Sequence, residues 1–192
     1  MTKEEMIEEL HAYLTHIVFA RDCLVAYLSI LDGAKNYNEI INVSVGFFRI
    51  AQYSLNKCMF IEFSKLYCGS GKQEKTIRKL INIVEANINL FSNKKKAKEC
   101  CDKVNQRFQE MNELISKLKT RRDKDLVHND KEYFDGKINP AIENYISVEE
   151  CEMLFNCVYE YCSNLFVLLG RTVEYDVDRA NDLESLLFLA KE

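Results

Sequence analysis

"NEIINVSVGFFRIAQYSLNKCMFIEFSKLY", residues 38–67, decides the fold. Wound at ~100° per residue, it sets Ile40, Val43, Phe47, Ala51, Cys58 and Ile61 on one side. Ile41, Val45, Met59 and Phe63 fall on others. A helix apolar around most of its circumference belongs at the centre of a bundle. The rest of the chain agrees, because six glycines and the single Pro140 leave little to cut it into short strands and turns. The expected class is therefore all-α, a single-domain bundle of about five to six helices.

Working outward, a first helix is expected from about Thr2 to Leu31, capped by Thr2 and ended by Gly33, with Met6, Leu10, Tyr13, Leu14, Ile17, Leu24 and Leu28 as its apolar face. The break "CGSGK" (68–72) precedes a third helix over about 73–91, carrying Ile77, Leu80, Ile81, Val84, Ile88 and Leu90. "SNKKK" (92–96) opens a fourth, from about Lys94 into the 120s. "EYFDGKINPAIENYI" (132–146), with Gly136 and Pro140, reads as irregular. Ser147 and Glu150 form a capping box for a fifth helix reaching about Tyr175, and a short sixth follows Asp178. Residues 1–192 form one domain in this reading, with residues 1–35 an accessory extension to a core of 38–175.

The start "MTKEEMIEEL" is acidic and lacks the basic start and apolar core of a secretory signal. The most apolar window, "MLFNCVYEYCSNLFVLLG" (153–170), contains Glu160, as suits a buried helix better than a membrane span. A cytoplasmic protein with no membrane partner is expected. Eight cysteines include no CxxC pair, and the only histidines are His11, His16 and His128, so neither a metal nor another cofactor is expected. Reduced, buried thiols are the reading. The net charge of −4 hides an asymmetry: residues 94–124 hold eleven of the 26 Lys and Arg against five acids. A phosphate-bearing ligand would land there, unless those lysines are simply a solvated helix face.

At the end of that segment stands "RRDKDLVHND" (121–130). With Leu118 at zero, Val104, Met111, Leu114, Ile115 and Leu118 make an apolar stripe about 100° wide. A continuing helix places Arg122 at about +40° and Asp125 at about −20°, inside that stripe. A charge in a core-facing position needs a partner, a cleft or the end of the helix. Glu62, about +60° from Phe47 on the central helix, is the structural partner expected for Arg122. His128 would lie ~120° from Arg122 but only ~20° from Arg121. Either the helix breaks near Leu126, or His128 pairs with Arg121 or with another subunit.

These residues resemble the HEPN superfamily. "RDKDLVHND" is similar to its motif of Arg, a polar residue, a spacer and His, here Arg122-x5-His128, and "RDK…VHND" resembles the abortive-infection proteins of the AbiU type. "AQYSLNKCMFIEFSKLY" (51–67) and "KTIRKLINIV" (75–84) follow in the same order of helices, so the resemblance covers about residues 40–170. It implies a helical bundle that often dimerises, bringing two motif copies to one cleft, and an endoribonuclease that works without a metal. Arg122 would hold the scissile phosphate, Asp123 would orient Arg122 or the imidazole, and His128 would move protons. Arg121, Lys124, Asn129, Asp130 and Tyr133 would bind the substrate RNA in the same cleft. An antitoxin is a further partner it implies, in phage defence or a toxin–antitoxin pair. His11 and His16, ~140° apart on one helix, read as surface residues. Two other readings stand beside this one: a non-catalytic module binding RNA, a nucleotide or a protein, and a purely structural bundle with interhelical ion pairs.

Overall fold

The computed structural model describes residues 1–36, 38–69, 75–127 and 140–173. Among them every regular element is helical. The order is α1 (Lys3–Asn36), α2 (Asn38–Val43), α3 (Val45–Tyr67), α4 (Ile77–Ala86), a 3-10 turn (Ile88–Leu90), α5 (Lys94–Glu110), α6 (Asn112–Arg121), a π-helical segment (Arg122–Val127), α7 (Pro140–Glu143) and α8 (Val148–Leu168). The all-α bundle forms as expected. The short helix expected after Asp178 and residues 132–139 of the expected loop lie outside the described residues.

α1 starts on a reciprocal cap: the Glu5 N–H donates to Thr2 Oγ1 at 3.1 Å, and the Thr2 N–H donates to Glu5 Oε2 at 2.7 Å. Gly33 does not end it, since the helix runs on to Asn36. An internal glycine costs only ~1 kcal/mol, which the packing of a helix this long outweighs. The chief neighbours of α1 are α3 and α8. Residues 1–35, set apart as an accessory by sequence, place Met6, Leu10, Tyr13 and Ile17 in the same buried cluster as Phe60 and Phe63 of α3 and Leu154, Val158 and Leu165 of α8. By length and composition alone α1 could cross a membrane, with a mean hydropathy of 1.5 over its most apolar window. Its buried side is occupied by the protein's own core.

The expected central helix over 38–67 is corrected in two ways. It is interrupted at Ser44, between α2 and α3, and only the C-terminal half of α3 is central. Met59, Phe60, Phe63, Leu66 and Tyr67 are buried, whereas Phe47 is 64% exposed and Ile50 68%. The packed half is held by polar ties as well as apolar contact. The Tyr67 hydroxyl donates to the Leu154 carbonyl at 2.5 Å, and its ring stacks on Phe108 of α5 with centroids 5.2 Å apart.

Local caps set most of the remaining boundaries. Thr76 and Asn93 accept from the backbone N–H groups of Lys79 and Lys96, starting α4 and α5. The expected fourth helix divides at Met111 into α5 and α6. The capping box of Ser147 and Glu150 starts α8 as expected. That helix stops at Leu168 rather than about Tyr175, because Gly170 takes φ 71°. The Gly170 N–H then donates to Val167 O at 3.0 Å and the Arg171 N–H to Phe166 O at 2.9 Å, a Schellman closure.

Candidate functional site

α6 ends at Arg121, and the chain continues as the π-helical segment Arg122–Val127. Hydrogen bonds from i to i+5 widen the turn, so each residue advances by less than the α-helical angle. The α-helical bookkeeping that puts Arg122 and Asp125 in the apolar stripe therefore stops applying at Arg122.

The two neighbouring arginines separate. Arg121 is the buried one, 6% exposed, with its guanidinium carbon 3.8 Å from the centre of the Phe60 ring. Arg122 is partly buried and fixed by three contacts. Its Nε donates to Asp123 Oδ1 at 2.7 Å, Nη2 lies 2.7 Å from the same oxygen, and Nη1 donates to the Cys68 carbonyl at 2.5 Å. Cys68 caps the C-terminus of α3, where carbonyls lack helical partners and a cation is favoured. Burial pushes the Cys68 thiol up to about 11, with Arg122 pulling against it. Among the described residues these bonds leave one N–H on each terminal nitrogen of Arg122.

Glu62 is not the partner of Arg122. It is buried, and its carboxylate is shared by His16 Nδ1 at 2.7 Å and Lys65 Nζ at 2.5 Å. A buried acid indeed needs polar partners, but His16 of α1 and Lys65 on the next turn of α3 supply them. His16, read from sequence as a surface residue, is thus tied to a buried carboxylate while half its side chain stays exposed. The spacing of His11 and His16 within one helix carried no signal of a partner on another.

Lys124 is exposed just beyond. His128, Asn129, Asp130 and Tyr133 lie outside the described residues. The structure thus brings Arg122 and Asp123 together, with Arg121 turned to Phe60 on α3. The basic segment is partly neutralised internally: Lys98 pairs with Glu85 and Asp102, Arg107 with Glu160, and Lys117 with Glu113 and Glu150.

Arg121 also lines a pocket of about 450 Å³, together with Tyr27, Gln52, Tyr53, Asn56 and Tyr145. Sequence reasoning missed the last five, since they come from three distant stretches with no shared spacing. A larger hollow of about 730 Å³, lined by Arg78, Asn82, Asn105 and Gln109, includes no residue of the motif.

Compared with known families, the sequence matches the model of AbiU2, a HEPN family, over residues 3–186. The chain belongs to the AbiU2 family of HEPN proteins. No curated protein and no solved structure matches it. The AbiU2 match extends beyond the 40–170 of the sequence resemblance and takes in α1, in keeping with that helix's share of the core. In this AbiU2 chain Arg122 is a braced cation at a π-helical turn, a geometry that recurs at functional sites.

Proposed function

We propose that this AbiU2-family chain is an endoribonuclease of phage defence or a toxin–antitoxin system, working without a metal through Arg122, Asp123 and His128. The observation that carries the reading is the bracing of Arg122, by Asp123 and the Cys68 carbonyl, inside a π-helical motif of a HEPN-family protein. A guanidinium so held loses little freedom when it meets a phosphate. In the reaction the ribose 2′-oxygen attacks the adjacent phosphorus and the bond from phosphorus to the 5′-oxygen breaks. The products are a 2′,3′-cyclic phosphate and a 5′-hydroxyl. One His128 takes the 2′-OH proton, and that of a second subunit protonates the leaving oxygen. The remaining N–H groups of Arg122 stabilise the charge on the phosphoryl oxygens.

A homodimer supplies that second copy, and the exposed Phe47 and Ile50, one turn apart on α3, give it an apolar face to bury. Arg121, Lys124, Asn129, Asp130 and Tyr133 would bind the RNA, an antitoxin protein would restrain it, and the setting would be the cytoplasm. One observation favours a second, non-catalytic reading: Arg122 already spends three donors within the protein, as a structural arginine does.

Purified protein incubated with single-stranded and transfer RNA in EDTA distinguishes the two. The expected result is cleavage to 2′,3′-cyclic phosphate ends, lost by about 10²-fold or more in Arg122→Ala and His128→Ala. Phe47→Glu with Ile50→Glu should halve the mass seen by light scattering and abolish cleavage. An inert wild type, or a His128→Ala protein that cuts as well, leaves the non-catalytic module standing.

A further inference from the structure

We infer that the pocket between α1, α3 and the segment before α8 holds an unpaired purine of the RNA strand, seated beside Arg121. The identity of the ligand as part of a strand rests on the ribonuclease reading. The presence of a base site rests on the pocket itself.

Its volume of about 450 Å³ is within the range of small-ligand sites. Its chemistry is that of base recognition. Tyr53 and Tyr145 are 57% and 65% exposed at the same hollow; Lys57 Nζ lies 4.7 Å over one face of the Tyr53 ring, and stacking would cover the aromatic surface that remains. Arg121, buried and fixed over Phe60, adds a positive charge at the wall of the pocket. Gln52 and Asn56 of α3 present paired amide donors and acceptors of the kind that read adenine N6 and N7, while an arginine suits guanine O6 and N7. Both matches are to purines. Among the described lining residues there are two arginines, Arg49 and Arg121, and no carboxylate, so a polyanion is not repelled.

The position relates the pocket to the cleavage site. Arg121 and Arg122 are consecutive, ~3.8 Å apart at Cα. On α3 the pocket residues Gln52, Asn56 and Phe60 fall on the side away from Phe47 and Ile50, while Tyr53, one turn after Ile50, stands at the border between the pocket and that stripe. Arg122 reaches the Cys68 carbonyl at the C-terminal end of α3, well beyond Asn56 at ~1.5 Å per helical residue, so a strand several nucleotides long joins the purine to the phosphate held by Arg122. The pocket then decides which phosphodiester is presented.

Two binding series test this, both with His128→Ala so that no strand is cut. In the first, fluorescence anisotropy compares labelled hexamers of adenylate, guanylate, uridylate and cytidylate. Purine hexamers should bind more tightly, Tyr53→Ala should weaken them by about 5- to 150-fold, and Asn56→Ala should shrink the gap between adenylate and uridylate. Asn105→Ala, in the other hollow, should change nothing. In the second, calorimetry with AMP and UMP separates a free nucleotide from a base within a strand. AMP binding more weakly than the adenylate hexamer supports the inference; AMP binding as tightly while hexamers do not bind overturns it. Equal affinity for all four hexamers, or no effect of Tyr53→Ala, overturns it too. Purine binding by a wild type that cleaves nothing would sink the ribonuclease reading and leave the pocket assigned.

Discussion

Arg121 and Arg122 differ by one position and face different demands. The Arg121 stem and guanidinium are packed against Phe60, so removing them takes away both contact and the cation–π term. Arg122 is bound to Asp123, whose side chain is 42% exposed and returns readily to water. Arg121→Ala should therefore cost about 2–3 kcal/mol and Arg122→Ala about 1 kcal/mol or less, where each kcal/mol moves the Tm of a chain this size by ~2–4 °C. Thermal melts of the two variants check it; a larger loss in Arg122→Ala would mean that the motif arginine is mainly structural. Sequence located the charge problem here but named the wrong resolution. Helical angles place Arg122 and Glu62 on facing stripes, yet no angle on α3 or α6 says that α1 brings His16 to Glu62 first. The widened turn at Arg122 has no residue signature either, and the buried position belongs to Arg121, the last residue of α6.

The side-chain caps that start α1 and α8 were legible, whereas Thr76, which starts α4, was not, since the helix expected over about 73–91 begins only at Ile77 and ends at Ala86; ends set by the backbone were not legible either. Thr2 with Glu5, and Ser147 with Glu150, are short-range patterns whose physics is complete within four residues. Gly33 and Gly170 are the same residue with opposite outcomes, because a glycine ends a helix only where the following residues can close the Schellman bonds. After Gly170, Arg171 does so against Phe166. The α3 misreading has the same root: an apolar circumference marks burial, but it does not say whether the cover is the same chain or another. Gly170→Ala isolates the backbone contribution. A Cβ there would meet no atom within 4 Å, so the loss is the left-handed strain alone, about 1–2 kcal/mol. Urea unfolding should show a lower midpoint at unchanged slope. A midpoint equal to wild type would mean that the end of α8 frays without cost.

One core holds the molecule together, and most of its cysteines are inside it. All eight thiols are free, and Cys23, Cys68, Cys101, Cys151, Cys157 and Cys162 are buried, as their scattered spacing suggested, while Cys58 is exposed. Burial is the leading cause that raises Cys23 and Cys151 to about 12 and Cys68 to about 11, from ordinary values near 9. The buried phenols of Tyr13, Tyr67 and Tyr161 are raised as well, again chiefly by burial. A raised thiol keeps its proton in the folded chain at a pH where the unfolded chain has lost it. Above about 9 the unfolded state binds fewer protons, so stability falls as pH rises. The contribution is complete below pH 9 and is lost progressively between about 9 and 12. Since an unfolded thiol is only half ionised at pH 9, each such group removes ~1 kcal/mol between pH 9 and 10, so three remove ~3 kcal/mol. Urea midpoints measured from pH 7 to 10.5 should therefore hold nearly level to about 8.5 and then drop. Cys151→Ala should flatten the drop even though it lowers stability at pH 7 by opening a small cavity. An unchanged slope in that variant would show that the alkaline limit is set by the tyrosines or the lysines rather than by the thiols of the core.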